Sequence, residues 1–255
     1  MFLCGYIKLF LNRENSVLRG KTRLNSKMKY YLYISDTKID MLYPQIPKHF
    51  LQKIASELNI NLKLLTAEFN AKITGNQANE TRYDKVKLVS KYIEENLDVG
   101  TAIAASTYIK GKCLMNWEML KARQDLGQED EAVMFGGWAG NNCILLGGSA
   151  KHVIGHVSKN TQESYSFLPS LFQVLRANGE LGEKNTSLTI FEPPEIRLHR
   201  AMQVAISVID NMQTPYQQLE FLAKTLVQGP VKFRRGEASS VNVVIATPIY
   251  VAIDD

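Results

Sequence analysis

An aromatic and β-branched run, Tyr30–Ile34, limits the possible folds more than any other part of the chain, and the polar segment 35–40 follows it directly. Such a run favours a buried strand, and α/β proteins commonly place a ligand where a strand ends in a charged loop. Asp36, Lys38 and Asp40 alternate along this segment. Paired carboxylates can hold a divalent ion or serve acid–base chemistry, but an ordinary turn in which Asp36 caps a helix explains them too.

The charge of the chain is unevenly distributed. Its net charge is +5, and residues 1–27 carry six basic side chains against one acidic side chain. Residues 28–255 are therefore neutral overall, which argues against a nucleic-acid-binding surface. We interpret residues 1–27 as a disordered basic leader or a start codon assigned too early, with Met28 as the alternative start. A weak membrane-surface or nucleic-acid arm is the other interpretation of this segment.

The cysteines and the apolar segments indicate the compartment. Cys4, Cys113 and Cys143 are few, odd in number and not at a metal-binding spacing, which favours a reducing cytoplasm. The apolar residues 1–11 are too short to span a bilayer and lack a small-residue cleavage site, and no later segment reaches spanning length without charges. We therefore expect a cytoplasmic protein that binds neither membranes nor nucleic acid.

Apolar periodicity predicts helices and strands in mixed order. Helices are predicted after Pro47, from Thr81, and over 167–175, 195–212 and 215–228. Strands are predicted over 30–34, 61–69, 106–120, 132–138, 142–146, 187–191 and 241–253, with a hairpin at Ala139-Gly140-Asn141. The mixed order predicts an α/β (mixed α+β) fold, in which residues 28–255 form one domain with a single mixed β-sheet flanked by helices.

A second candidate loop is rich in glycine. Gly147, Gly148 and Ser149 would offer backbone N–H groups and a hydroxyl to a phosphate or carboxylate. Lys151 and His152 would add positive charge. The segment matches neither the phosphate loop of nucleotide hydrolases nor the dinucleotide fingerprint, and a tight strand-to-helix turn explains the glycines equally well.

The histidines give no sign of a metal centre. His152 and His156 have the four-residue spacing of a zinc-binding pair on a helix, but Val153 stands where a metalloprotease needs Glu. No third ligand is close in sequence, so we expect structural histidines and no metal. A Ser-His-Asp order, a nucleophile elbow or a Cys-His pair cannot be read from the sequence either.

Three motifs resemble an uncharacterised bacterial family of domains of unknown function. They are the opening run YYLYISDTKIDMLYPQI over 30–46, the run Leu146-Gly147-Gly148-Ser149, and the closing run 247–252. The likeness covers residues 28–255 and leaves 1–27 outside. The resemblance implies no activity, cofactor or catalytic residue.

These observations favour a domain that binds a small anionic ligand, such as a nucleotide or another phosphorylated metabolite, and acts as a sensor through a partner protein. Both candidate loops would then open onto one cavity, lined by Asp36, Lys38, Gly147, Gly148, Ser149, Lys151 and His152. Two alternatives stay open. One is a metal-assisted hydrolase or transferase that uses Asp36 and Asp40, and the other is a structural interaction domain without a pocket.

Overall fold

The computed structural model describes residues 29–62, 75–121, 131–156, 194–232 and 240–253. Seven strands lie within these residues: β1 (Tyr30–Ile34), β2 (Val99–Thr101), β3 (Tyr108–Lys121), β4 (Glu131–Ala139), β5 (Asn142–Ser149), β6 (Gln217–Lys232) and β7 (Ser240–Ile253). The same residues hold four α-helices: α1 (Asp36–Leu42), α2 (Lys48–Leu58), α3 (Gly75–Asn96) and α4 (Pro194–Asn211). Short 3₁₀ turns occupy Tyr43–Gln45 and Ala150–His152.

Five of the strands close into a barrel. β7 pairs in parallel with β5 and antiparallel with β6, and antiparallel pairs link β5 to β4, β4 to β3, and β3 to β6. β1 pairs antiparallel with β7, with Tyr30 opposite Ile253, and β2 pairs in parallel with β3. The predicted single mixed sheet flanked by helices is therefore wrong, because the sheet curls and closes on itself.

The error in the predicted fold comes from β6. The sequence pattern predicted a helix over 215–228, where the structure has a strand of 16 residues. Leu219, Phe221 and Ala223 alternate toward the apolar barrel interior, but Leu222, between Phe221 and Ala223, is also buried, beneath the helices outside the barrel. Because both faces of β6 are buried, its sequence does not show the alternation of apolar and polar residues that is typical of a half-exposed strand. The segment is also rich in residues that favour helices. Because β6 pairs with both β3 and β7, a helix here leaves the ring open.

Most of the other predicted elements are confirmed. The strands predicted over 30–34 and 241–253 are β1 and β7, and Gly140 makes the β4–β5 hairpin turn with a positive φ of 60°. The helices predicted after Pro47 and over 195–212 are α2 and α4, whereas the helix predicted from Thr81 begins earlier, as α3. Residues 1–27, 63–69, 167–175 and 187–191 lie outside the described part of the chain.

Helices cover two sides of the barrel. α4 packs on β4, β5 and β7 through buried residues that include Met202, Ile206 and Ile209. α1 and α3 cover β1 and the carboxyl-terminal half of β7 through Ile39, Val86 and other apolar residues. Among the described residues, no helix is long and apolar enough to cross a membrane.

Tyr33 fills the space beside the end of β5. Its side chain is fully buried, and its ring lies edge-on to Phe135 and His152, at centroid distances of 6.0 and 5.9 Å. Gly148 makes this packing possible, because a Cβ atom at that position would lie 2.2 Å from the Tyr33 hydroxyl oxygen. The ring of Tyr33 therefore separates the apolar barrel interior from the polar residues at the start of α1.

Candidate functional site

Polar side chains converge where α1 begins, next to the turn that follows β5. We call them the corner cluster: Ser35, Asp36, Thr37, Lys38, Arg82 and His152. Two backbone contacts fix this junction, since the Ser35 N–H donates to the Ile249 carbonyl at 2.9 Å and the Ile154 N–H donates to the Leu32 carbonyl at 2.8 Å. The end of β1 is thus held between β7 and the turn after β5, which brings together residues more than 100 positions apart.

Asp36 is the centre of the corner cluster. Arg82, on α3, donates to both of its carboxylate oxygens, with Nε–Oδ1 at 2.7 Å and Nη2–Oδ2 at 2.8 Å. His152 Nδ1 lies 3.5 Å from Oδ2. Burial alone would raise the pKa of Asp36, but the contacts with His152 and with the Arg82 guanidinium outweigh it, so the pKa lies below its usual value. Asp36 is therefore an ionised carboxylate that is fixed in place by Arg82 and His152.

His152 links the carboxylate to a hydroxyl. The imidazole is buried, with Nδ1 facing Asp36 and Nε2 lying 3.3 Å from Thr37 Oγ1. Thr37 itself is exposed on the first turn of α1. The two ring nitrogens therefore contact two different groups, one acidic and buried in part, the other open to solvent.

Lys38 is a largely buried cation that, within the described part of the chain, contacts neutral oxygens. Its Nζ donates to Ser35 Oγ at 3.1 Å and to the Pro248 carbonyl at 3.3 Å. Among the described residues, no carboxylate forms an ion pair with it. Burial lowers the pKa of Lys38 to about 8. A charge in this position is costly unless an anion compensates for it.

The structure places the other predicted site residues in different ways. Gly147 and Gly148 lie inside β5, opposite Met134 and Val133 of β4, so the predicted glycine loop is part of a regular strand. Ser149 ends that strand. Lys151 and His152 follow in a 3₁₀ turn of three residues, and the helix that would carry His152 and His156 on one face is replaced by this turn and by a second turn at Gly155, whose φ is positive.

The two candidate loops nevertheless meet, through the contact of Asp36 with His152. Segment 35–40 is not an extended strand, because α1 begins at Asp36, and Asp40 pairs at the surface with Lys85 at 3.5 Å. Among the described residues, no three His, Cys, Asp or Glu side chains converge to hold a metal ion. The arrangement is thus built of cations, hydroxyls and one held carboxylate.

Sequence reasoning missed Arg82 and Thr37. Arg82 stands 46 residues after Asp36, and no spacing connects the two. A helix with Arg in its first predicted turn gave the only hint, and it does not identify the partner. Thr37 lies within the opening motif, but its significance appears only once His152 is placed against it.

A second polar cluster attaches β1 to the barrel wall. Glu220 is buried on β6 and accepts hydrogen bonds from the Tyr250 hydroxyl at 2.6 Å and from Lys29 Nζ at 2.5 Å. Burial alone would raise the pKa of Glu220, but these two hydrogen bonds outweigh it and hold the pKa below its usual value. Tyr31 lies edge-on to Tyr250, at 5.6 Å between ring centroids. This cluster has a structural explanation that needs no ligand.

Comparison with known proteins gives a family but no activity. No curated protein and no solved structure matches the chain significantly. A family model described as "Family of unknown function (DUF7019)" matches residues 29–255, which confirms the resemblance to a family of domains of unknown function. The match spans most of the chain and includes every strand and helix given above. The chain therefore belongs to the DUF7019 family.

Proposed function

We propose that this protein binds a small anionic ligand at the corner cluster. The observation that carries the proposal is Lys38, a largely buried ammonium that contacts the Ser35 hydroxyl and the Pro248 carbonyl but no carboxylate among the described residues. An uncompensated buried cation costs free energy, and an anion bound beside it recovers that cost. A phosphate or carboxylate group is the chemistry that fits.

The surroundings of Lys38 support an anion more than a metal ion. Arg82 uses Nε and Nη2 for Asp36, which leaves Nη1 as a further donor. A divalent ion at the two carboxylates, in contrast, would have to displace Arg82 from Asp36 and Lys85 from Asp40. Geometry thus favours ligand binding over the metal-assisted hydrolase. We propose a nucleotide or another phosphorylated metabolite as the ligand class, and a partner protein as the receiver of the signal.

Calorimetric titration with inorganic phosphate and with a set of nucleoside monophosphates tests this proposal. We expect Lys38→Met to weaken binding by about 10- to 100-fold, which corresponds to the loss of one charge-assisted hydrogen bond. The matched control is Lys87→Met, because Lys87 is exposed on α3 and forms a surface ion pair with Asp84 at 3.2 Å. This variant should bind like the wild type.

Two results would contradict the proposal. Equal affinities of the wild type and Lys38→Met would show that the anion binds elsewhere. If none of these anions binds the wild type, the alternative of a structural interaction domain without a ligand is favoured.

A further inference from the structure

The contacts of His152 with Asp36 and Thr37 also have the geometry of a catalytic arrangement. Its Nδ1 faces the Asp36 carboxylate at 3.5 Å, and its Nε2 faces the Thr37 hydroxyl at 3.3 Å. In this arrangement a carboxylate contacts one ring nitrogen of the histidine and a hydroxyl contacts the other. It is the arrangement by which a carboxylate–histidine pair activates a nucleophile. Such relays are recognised by geometry rather than by chain order, and their contacts are often longer in the absence of substrate.

We propose that Asp36, His152 and Thr37 form an acyl-transfer relay with Thr37 as the nucleophile. The exposure of Thr37 and of His152 suits their roles, because Thr37 is open to solvent while His152 is buried. Arg82 binds both oxygens of Asp36 and fixes the carboxylate in place. The imidazole also lies edge-on to the buried ring of Tyr33, at 5.9 Å between centroids.

The reaction follows from these positions. With a proton on Nδ1 directed at Asp36, Nε2 of His152 accepts the proton of Thr37 as Oγ attacks the carbonyl carbon of an ester. The bond from Oγ to carbon forms, the bond from carbon to the leaving oxygen breaks, and Nε2 returns the proton to that oxygen. Water then attacks the acyl-threonine with the same assistance from His152, which releases the carboxylic acid and restores the hydroxyl.

The substrate class rests on the proposed function. If Lys38 and its neighbours bind an anion beside Thr37, the preferred ester carries a negative charge on its acyl group. The relay itself does not depend on this preference. Failure of anion binding would remove the preference but leave acylation of Thr37 intact, so the two ideas can be refuted separately.

The experiment compares two activated esters, p-nitrophenyl acetate and mono-p-nitrophenyl succinate. We expect release of nitrophenolate by the wild type, faster with the succinate, and an acyl adduct on Thr37 after acid quenching and peptide mass spectrometry. Thr37→Ala should reduce the rate by about 100-fold or more, the usual size of a nucleophile or general-base effect, and Thr37→Ser should keep it. Thr107→Ala is the matched control, because Thr107 is an exposed threonine that is not a member of the corner cluster and whose carbonyl accepts a hydrogen bond from the Thr225 N–H of β6.

Further variants separate the base from the positioning residue. His152→Gln should abolish the adduct. Asp36→Asn should lower kcat with little change in KM, because Asp36 orients His152 and does not contact the ester. An adduct on Lys38 instead of Thr37, an unchanged rate in Thr37→Ala, or no reaction above that of the buffer would each overturn the proposal.

Discussion

Lys38 gives the protein a pH-dependent stability that can be calculated from its position. Burial lowers its pKa from 10.5 to about 8 in the folded protein, while the unfolded chain keeps the ordinary value. Between these two pH values the unfolded state binds more protons than the folded state. The free energy of unfolding therefore rises with pH across this window, and the cost of the buried charge is fully present below pH 8.

The magnitude follows from the size of the shift. Each pKa unit corresponds to 1.36 kcal/mol, so the contribution of Lys38 changes by roughly 3 kcal/mol from the lower to the upper end of the window. Urea denaturation of the wild type and of Lys38→Met should be measured from pH 7 to pH 11. The difference between the two free energies of unfolding isolates Lys38, because the other titrating groups are common to both proteins.

Two features of this difference are diagnostic. It should shift by roughly 3 kcal/mol in favour of the wild type as the pH rises through the window, whatever constant offset the lost hydrogen bonds add. A saturating anionic ligand should flatten the shift, because an adjacent negative charge raises the pKa of Lys38. A difference that does not vary with pH would refute the reasoning, since Lys38 would then titrate as an ordinary surface lysine.

Two other substitutions test the packing around the site. Gly148→Ala places a Cβ atom 2.2 Å from the Tyr33 hydroxyl oxygen and should cost about 1–3 kcal/mol in urea denaturation, whereas Gly229→Ala, whose nearest neighbour would lie at 3.4 Å, should be nearly neutral; equal stabilities would contradict the packing argument. Tyr250→Phe removes the 2.6 Å hydrogen bond to Glu220 and should cost about 2 kcal/mol, and a cost near zero would mean that this bond adds no net stability.

The sequence correctly predicted those elements in which the local residue pattern alone decides between helix and strand. β1 and β7 have few competing interpretations, because aromatic and β-branched residues fill them. The segment 217–228 of β6 consists largely of residues that also form helices, and only pairing with β3 and β7 decides its state. Barrel closure is a property of these long-range pairs, so a local pattern could not reveal it.

The candidate site, too, could be predicted only where the local sequence carries the signal. Charged residues that follow a predicted strand are easy to recognise in the sequence, and for this reason the site prediction included Asp36, Lys38 and His152. The partner of Asp36 could not be predicted, since Arg82 reaches it from a helix that is separate along the chain. The glycine pair was informative for a different reason than expected, because Gly148 makes room for the ring of Tyr33.

The place of β7 in the barrel has a consequence for biosynthesis. This strand is the last of the described strands along the chain, yet it pairs with β1, β5 and β6. A nascent chain that has emerged only as far as residue 239 lacks the element on which three others depend. The ring can thus close completely only after β7 has been synthesised as far as Ile253. β1 pairs with the same strand, so it stays unpaired, and open to chaperones and proteases, until a partner more than 200 residues further along the chain is available.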